Sequence, residues 1–112
     1  MTIQHPSLLD GRWQTFDLVE QLGHVGSEVE RALNWRARGN EAYSAKALDR
    51  ALELLEFTIA DVRHRERIGE LTRLREVILD YFMGENLYAS SEALWRGYFR
   101  FFALAARRNI SR

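Results

Sequence analysis

Apolar residues recur along most of the chain with the spacing of an amphipathic helix, and no segment shows the alternation that is typical of a strand. The periodic stretches predict helices over residues 15–38, 41–60, 62–83 and 91–108. Short connections between helices of about 20 residues are typical of antiparallel neighbours. We therefore expect an all-α fold, an antiparallel four-helix bundle formed by residues 15–108.

The predicted boundaries carry residues that commonly begin or end helices, namely Thr15, Gly39, Asn40, Asp61, Gly84, Ser90 and Ser91. Thr15 and Asp61 are suitable N-caps, and either Ser90 or Ser91 is suitable for the fourth helix. Gly84 stands where a left-handed residue after a helix is expected. Residues 1–14 follow no helical period but contain Leu8, Leu9 and Trp13, so we expect an irregular strap across the bundle. Residues 109–112 form a short tail.

The fourth helix carries aromatic residues around nearly its whole circumference, namely Trp95, Tyr98, Phe99, Phe101 and Phe102. A helix that is apolar on all sides needs cover on more than one side. Either the N-terminal strap with Trp13 or a second subunit supplies that cover, and we favour self-association. The predicted interface contains Trp95, Tyr98, Phe99, Phe102 and, beside them, Tyr88.

Small residues interrupt the first helix at Gly23, Gly26 and Ser27. Each glycine costs about 1 kcal/mol of helix stability relative to alanine, so a compensating role is expected. Tight packing against a neighbouring helix or the strap is one such role. A functional kink or a ligand groove is the alternative.

Arginines line the third and fourth helices, and those that we single out as possible contacts to nucleic acid or an acidic partner are Arg63, Arg67, Arg96, Arg100 and Arg107. If the two helices are adjacent, their basic edges form a phosphate-binding stripe. The alternative is that Glu66, Glu70 and Glu76 pair with the arginines as ordinary helix-surface contacts.

Composition narrows these possibilities. The chain has 112 residues, with 16 basic and 16 acidic side chains, no cysteine and a net charge of zero. This length suits one domain, and neutrality is unlike a generally basic nucleic-acid binder. The first residues lack the pattern of a signal peptide, and no apolar run is long enough to span a bilayer. Because arginine outnumbers lysine 15 to 1, as in many GC-rich prokaryotic genomes, we expect a cytoplasmic prokaryotic protein.

Motifs that carry chemistry are sparse. Glu20, His24 and Glu28 are spaced to share one face of the first helix, but no second helix offers the matching Glu-x-x-His pair of a bundle metal site. The serines lie in no nucleophile elbow, and no phosphate-binding glycine loop occurs. The arginine-to-histidine spacing of helical ribonucleases of the HEPN kind is also absent. We expect no enzyme activity, no catalytic residue, no cofactor and no metal.

Three segments resemble a small prokaryotic family of uncharacterised four-helix-bundle proteins: HPSLLDGRW at residues 5–13, ALDRALELL at 47–55 and ALAAR at 103–107. In architecture alone, the chain is similar to the accessory proteins encoded beside reverse transcriptases in diversity-generating retroelements, and to ribosomal intervening-sequence proteins. That resemblance implies oligomerisation and, for the accessory proteins, binding of nucleic acid and polymerase. The retroelement proteins are basic, whereas this chain is neutral.

The sequence thus predicts a non-enzymatic helical protein that acts through protein contacts, as a homo-oligomer or an accessory or scaffold subunit. The alternative is an accessory protein that binds nucleic acid through the arginine edges.

Overall fold

The computed structural model describes residues 11–110, with side chains through residue 108. Within this range it contains four α-helices and no strand, which confirms the predicted all-α class. The helices are α1 (Leu18–Ala37), α2 (Glu41–Ala60), α3 (Ile68–Met83) and α4 (Glu92–Ile110), and two 3₁₀ segments, Trp13–Thr15 and Val62–Arg67, precede α1 and α3. Residues 1–10 of the predicted strap and residues 111–112 of the predicted tail lie outside the described residues. The antiparallel order of all four helices stays a prediction.

The first helix begins later than its hydrophobic period predicts. Its N-cap is Asp17, whose carboxylate accepts from the backbone N–H of Glu20 while the Glu20 side chain accepts from the N–H of Asp17. This reciprocal pair satisfies two backbone donors that the helix cannot satisfy itself. Thr15 was therefore the wrong cap: it ends the 3₁₀ turn, and its hydroxyl donates to the carbonyl of Arg12.

The turn between α1 and α2 confirms the sequence-based boundary. Gly39 has a φ of +77°, a conformation that glycine adopts without strain. The side chain of Asn40 then caps α2 by accepting from the N–H of Tyr43 at 3.0 Å.

The third helix is shorter than predicted, because residues 62–67 form a 3₁₀ helix and α3 starts only at Ile68. Asp61 caps this 3₁₀ helix as expected, accepting from the N–H of Arg63. The backbone leaves helical geometry at His64, which is buried. The physical reason is a hydrogen-bonded network, described below, that ties this segment to α1.

The connection between α3 and α4 corrects one expectation and confirms another. Gly84 is extended, with a φ of −103°, and the positive φ angles fall instead at Asn86 and Ala89. Glycine suits position 84 because a Cβ there would lie 3.1 Å from the backbone of Asp80, which would then have to shift by a few tenths of an ångström. Ser91 caps α4 by accepting from the N–H of Leu94 at 3.1 Å. The helix continues through residues 109 and 110, which were predicted as tail.

The core centres on α1, which packs extensively against both α2 and α4, whereas α3 packs against α2. Two cross-links fix the α1–α2 pair: the Ser44 hydroxyl donates to the carbonyl of Ala32 at 2.8 Å, and Arg50 donates to Glu28 at 3.1 Å. The fully buried centre includes Val25, Leu55 and other aliphatic side chains of these helices. Among the described helices, this arrangement leaves one long side of α4 without a helix against it.

Candidate functional site on the fourth helix

Two glycines of α1 let α4 approach closely. A Cβ on Gly26 would lie 2.7 Å from the Cβ of Phe99, and a Cβ on Gly23 would lie 3.5 Å from that of Ala106. The first distance is well inside the carbon–carbon contact range of about 3.5–4.0 Å. The sequence predicted tight packing at these glycines, and the structure identifies α4 as the partner.

Trp95 and Phe99 form the buried side of α4. They are 2% and 5% exposed, and their rings stack with centroids 6.1 Å apart. Trp95 also meets Tyr81 of α3 edge-on, at 6.4 Å. Both rings belong to the chain's own core, so neither has the exposed surface that the predicted subunit interface requires, and Gly26 of α1 makes room for Phe99.

The side of α4 that α1 leaves uncovered is apolar. The large side chains on it, with their exposed fractions, are Leu94 (51%), Tyr98 (41%), Phe101 (65%) and Leu104 (51%). Spacings of three and four residues place them in one stripe, which we call the outer face of α4. Gly97 lies in the same stripe, and a Cβ there would meet nothing within 4 Å. The outer face therefore offers apolar side chains around a site where backbone is accessible.

The other three residues of the predicted interface are Tyr98 on the outer face, Phe102 beside it and Tyr88 in the connection before α4. Tyr98 packs edge-on against the half-buried Phe102 at 5.3 Å. Burial, together with the negative charge of Glu70, raises the pKa of Tyr98, so its hydroxyl stays neutral. Tyr88, 49% exposed, lies in the connection before α4, with the Arg73 guanidinium 6.0 Å above its ring. Tyr88 and Tyr98 are thus accessible to a partner, and Phe102 is partly so.

A groove of about 380 Å³ runs between α1 and α4, on a different side of α4 from the outer face. We call it the α1–α4 groove. The residues that line it include Val29, Leu33, Trp95 and Phe99 as apolar walls, with Ser27, Glu30, Arg96 and Arg100 as polar ones. The indole N–H of Trp95 is buried and has no hydrogen-bond acceptor in the part of the chain that the structure describes. Such an unpaired donor is uncommon, because leaving one buried costs roughly 1–3 kcal/mol.

The five arginines singled out from the sequence have different surroundings. Arg63 contacts Asp61 at 2.6 Å, and Arg67 lies 3.7 Å from Glu70. Arg96 is held by Glu92, Glu30 and Asn34. Arg100 is exposed at the groove and forms no ion pair with any residue in the described range, whereas Arg107 lies exposed in the last turns of α4. Carboxylates thus contact at least Arg63, Arg67 and Arg96, as in the alternative of ordinary surface pairs.

A buried polar network joins the segment before α1 to the end of α2, and the sequence analysis did not identify it. The Gln21 side chain, fully buried, donates to the carbonyl of Trp13 at 3.0 Å and to Asp61 at 3.1 Å. Its amide oxygen faces Nε2 of His64 at 3.0 Å, so that ring nitrogen carries the proton. A glutamine on the inward stripe of α1 was the signal that could have revealed this network.

The same network keeps the Asp61 carboxyl group ionised and orients the indole of Trp13. Arg63 donates to both the Asp61 carboxylate and the carbonyl of Phe16. These hydrogen bonds hold the pKa of Asp61 well below its usual range, and the carboxylate in turn raises the pKa of Arg63. The Trp13 indole donates to the Thr58 hydroxyl at 3.2 Å. Each of these polar groups is hydrogen-bonded to another part of the chain. The network therefore holds the segment before α1 against the end of α2.

The acidic and histidine residues of α1 also have structural partners. Glu20 takes part in the capping of α1, and Glu28 pairs with Arg31 and Arg50. The ring of His24 packs 4.9 Å from that of Phe16. Across residues 11–110, no three histidine or carboxylate side chains are grouped so that they could hold a metal ion.

None of the described helices combines the length and the apolar character that crossing a membrane requires. Comparisons with protein-family models, with curated proteins and with solved structures give no match. Function must therefore be argued from the outer face of α4, the α1–α4 groove and the arginines beside it.

Proposed function

We propose that the protein is a non-enzymatic interaction module that self-associates through the outer face of α4. The observation that carries this proposal is the stripe of four large apolar side chains, each between 41% and 65% exposed, on a helix whose opposite side is buried. Isolated exposed apolar residues are ordinary, but a contiguous apolar stripe is typical of a contact surface. Tyr98 at its centre belongs to a residue type that is enriched in interface hot spots.

Gly97 supports close contact between helices at this face. A glycine inside a helix costs about 1 kcal/mol relative to alanine. At Gly23 and Gly26 the packing of α4 compensates for that cost, but no neighbouring group occupies the space at Gly97. A second helix crossing there would use that space.

A second copy of the chain is the partner that best fits this face. An apolar stripe is complementary to itself, as the interface of a two-fold dimer must be. The chain has no net charge, so two copies do not repel each other at long range. The charged Arg96 points away from the stripe, toward Glu30 and Asn34 of α1.

The size of the face sets the expected affinity. With side-chain areas on the order of 200 Å², the four residues expose roughly 400 Å² per chain, or roughly 800 Å² in a dimer. The neighbouring Phe102 adds to this, but the contact stays below the lower limit of about 1,200 Å² for stable complexes. We therefore expect a weak dimer, formed at tens to hundreds of micromolar, which the high protein concentrations of a direct mass measurement would detect.

The test is the solution mass of the untagged full chain, measured by light scattering behind a sizing column over that concentration range. The variants are Phe101→Glu, on the outer face, and Val62→Glu, a control at a 73% exposed apolar residue on the 3₁₀ helix. We expect the wild type and Val62→Glu to dimerise at both low and high salt, because the contact is apolar. Phe101→Glu should be monomeric with unchanged helicity by circular dichroism. A wild type that is monomeric throughout, or a folded Phe101→Glu that still dimerises, would contradict the proposal.

Binding of nucleic acid as an accessory protein remains the alternative prediction. It draws chiefly on Arg100, since Arg63, Arg67 and Arg96 already contact carboxylates. The prediction is an affinity for RNA or DNA that falls steeply with salt and is lost in the variant Arg100→Glu. No mobility shift at low ionic strength would remove this alternative without affecting the dimer proposal.

A further inference from the structure

The α1–α4 groove has the composition of a small-ligand site. Its volume of about 380 Å³ far exceeds the roughly 30 Å³ that one water molecule occupies, and it lies within the range of about 300–1,000 Å³ typical of ligand pockets. Such pockets combine mainly apolar walls with a few polar groups that orient the ligand. Here Val29, Leu33 and Phe99 supply the walls, and Ser27 and Arg100 are among the polar groups.

Among the residues that line the groove, two arginines face one carboxylate, so one arginine has no counterion within the groove. The carboxylate of Glu30 lies 3.3 Å from Arg96, so these two opposite charges compensate each other. Arg96 is further occupied by Glu92 and Asn34. Arg100 also lines the groove but pairs with no carboxylate among the described residues. Its guanidinium can therefore bind an added carboxylate through two parallel hydrogen bonds.

One residue that lines the groove carries a hydrogen-bond donor for which the described part of the chain supplies no acceptor. Trp95 lines the groove, and its indole N–H is buried without an acceptor. The contrast with Trp13 is informative, because that indole donates to Thr58 in an equally buried setting. A ligand oxygen beside Trp95 would supply the missing acceptor after a small side-chain shift.

From this arrangement we propose that the α1–α4 groove binds a small apolar monocarboxylate, with an aromatic or aliphatic body. The body lies against the apolar walls of α1 and α4, and the carboxylate pairs with Arg100. An oxygen of the ligand accepts from Trp95. A neutral apolar molecule leaves Arg100 without a partner, and a dianion exceeds the single uncompensated charge, so the groove selects one negative charge.

The experiment uses the three indole N–H signals of the full chain in proton–nitrogen correlation NMR, assigned with single Trp→Phe variants. The probe is naphthylacetate, and naphthylacetamide is its neutral counterpart. We expect naphthylacetate to move the Trp95 signal in a saturable manner while the Trp13 signal stays in place. The amide should bind at least tenfold more weakly.

Two variants test whether Arg100 binds the carboxylate of naphthylacetate. Arg100→Glu changes an exposed side chain, so the fold is expected to persist, and the affinity for naphthylacetate should fall at least tenfold. Arg65→Glu, at an exposed arginine on the 3₁₀ helix, is the matched control and should bind like the wild type. Repeating the titration with Phe101→Glu shows whether the probe binds in the groove or on the outer face. If it binds in the groove, its affinity for this variant should equal that for the wild type.

Three results would overturn the proposal: a Trp95 signal that does not move up to millimolar probe, equal binding of the acid and the amide, or unchanged affinity in Arg100→Glu. Loss of binding in Phe101→Glu would likewise overturn it, by assigning the probe to the outer face. None of these outcomes depends on whether the wild type dimerises.

Discussion

Adding one methyl group at Gly26 should separate α1 from α4. The new Cβ would lie 2.7–2.8 Å from Cβ, Cγ and Cδ1 of Phe99. Because the Cβ of Phe99 is fixed by its backbone, no rotation of the ring relieves this contact. The helices must move apart by about 1 Å to restore an ordinary carbon–carbon distance.

The net effect of Gly26→Ala is the difference between two terms. Overpacking of a core costs about 1–3 kcal/mol, and the better helix propensity of alanine returns about 1 kcal/mol. We therefore expect the free energy of unfolding to fall by up to about 2 kcal/mol. At roughly 4–8 °C per kcal/mol for a chain of this size, the midpoint of thermal unfolding should fall visibly.

The assay is urea unfolding followed by far-ultraviolet circular dichroism, with two control glycines. A Cβ on Gly69 would meet nothing within 4 Å, so Gly69→Ala should gain up to about 1 kcal/mol. A Cβ on Gly23 would make only ordinary contacts, so Gly23→Ala should be neutral or slightly stabilising. If Gly26→Ala were as stable as Gly69→Ala, the close packing of α4 on α1 would be refuted.

The remaining predictions concern the buried polar groups. Trp13→Phe loses a hydrogen bond to Thr58, whereas Trp95→Phe loses none, so unfolding by urea should show Trp13→Phe to be about 1 kcal/mol more destabilising than Trp95→Phe. Equal costs would contradict the difference in hydrogen bonding. The folded pKa of Asp61 is depressed, so its contribution to stability is present above the unfolded pKa of about 4 and is lost as the pH falls below that value. Asp61→Asn should therefore cost about 1–3 kcal/mol at neutral pH and show a weaker loss of stability below about pH 4 than the wild type, as measured by urea unfolding across that range.

The sequence was most informative where local interactions determine the structure. Residues 41–60 were predicted as the second helix and are found as Glu41–Ala60, because the Gly39 turn and the Asn40 cap act within a few residues of the boundary. The third helix was predicted too long, because its first turns are held by Gln21, 40 residues away from Asp61 in sequence. A tertiary contact of this kind overrides helical periodicity.

The two sides of α4 illustrate a second limit on what can be predicted from the sequence. Aromatic residues occupy both, so composition alone could not separate the buried Trp95 and Phe99 from the exposed Tyr98 and Phe101. The choice depends on Gly26, whose missing side chain admits Phe99. The α1–α4 groove was equally beyond prediction, since a void depends on how side chains pack across two helices. The sequence analysis did name a ligand groove as one explanation of the small residues Gly23, Gly26 and Ser27, and all three line it.

The packing of α4 on α1 has a consequence for synthesis of the chain. The α1–α2 pair is local in sequence and can form as soon as residue 60 has left the ribosome, whereas α4 must return to α1 across α2 and α3. Since synthesis proceeds at about 5–20 residues per second, the glycine side of α1 stays uncovered for seconds in every nascent chain. A message truncated before residue 92 would leave it uncovered permanently. Until α4 has been synthesised, the uncovered glycine side of α1 is therefore a surface that quality control can recognise.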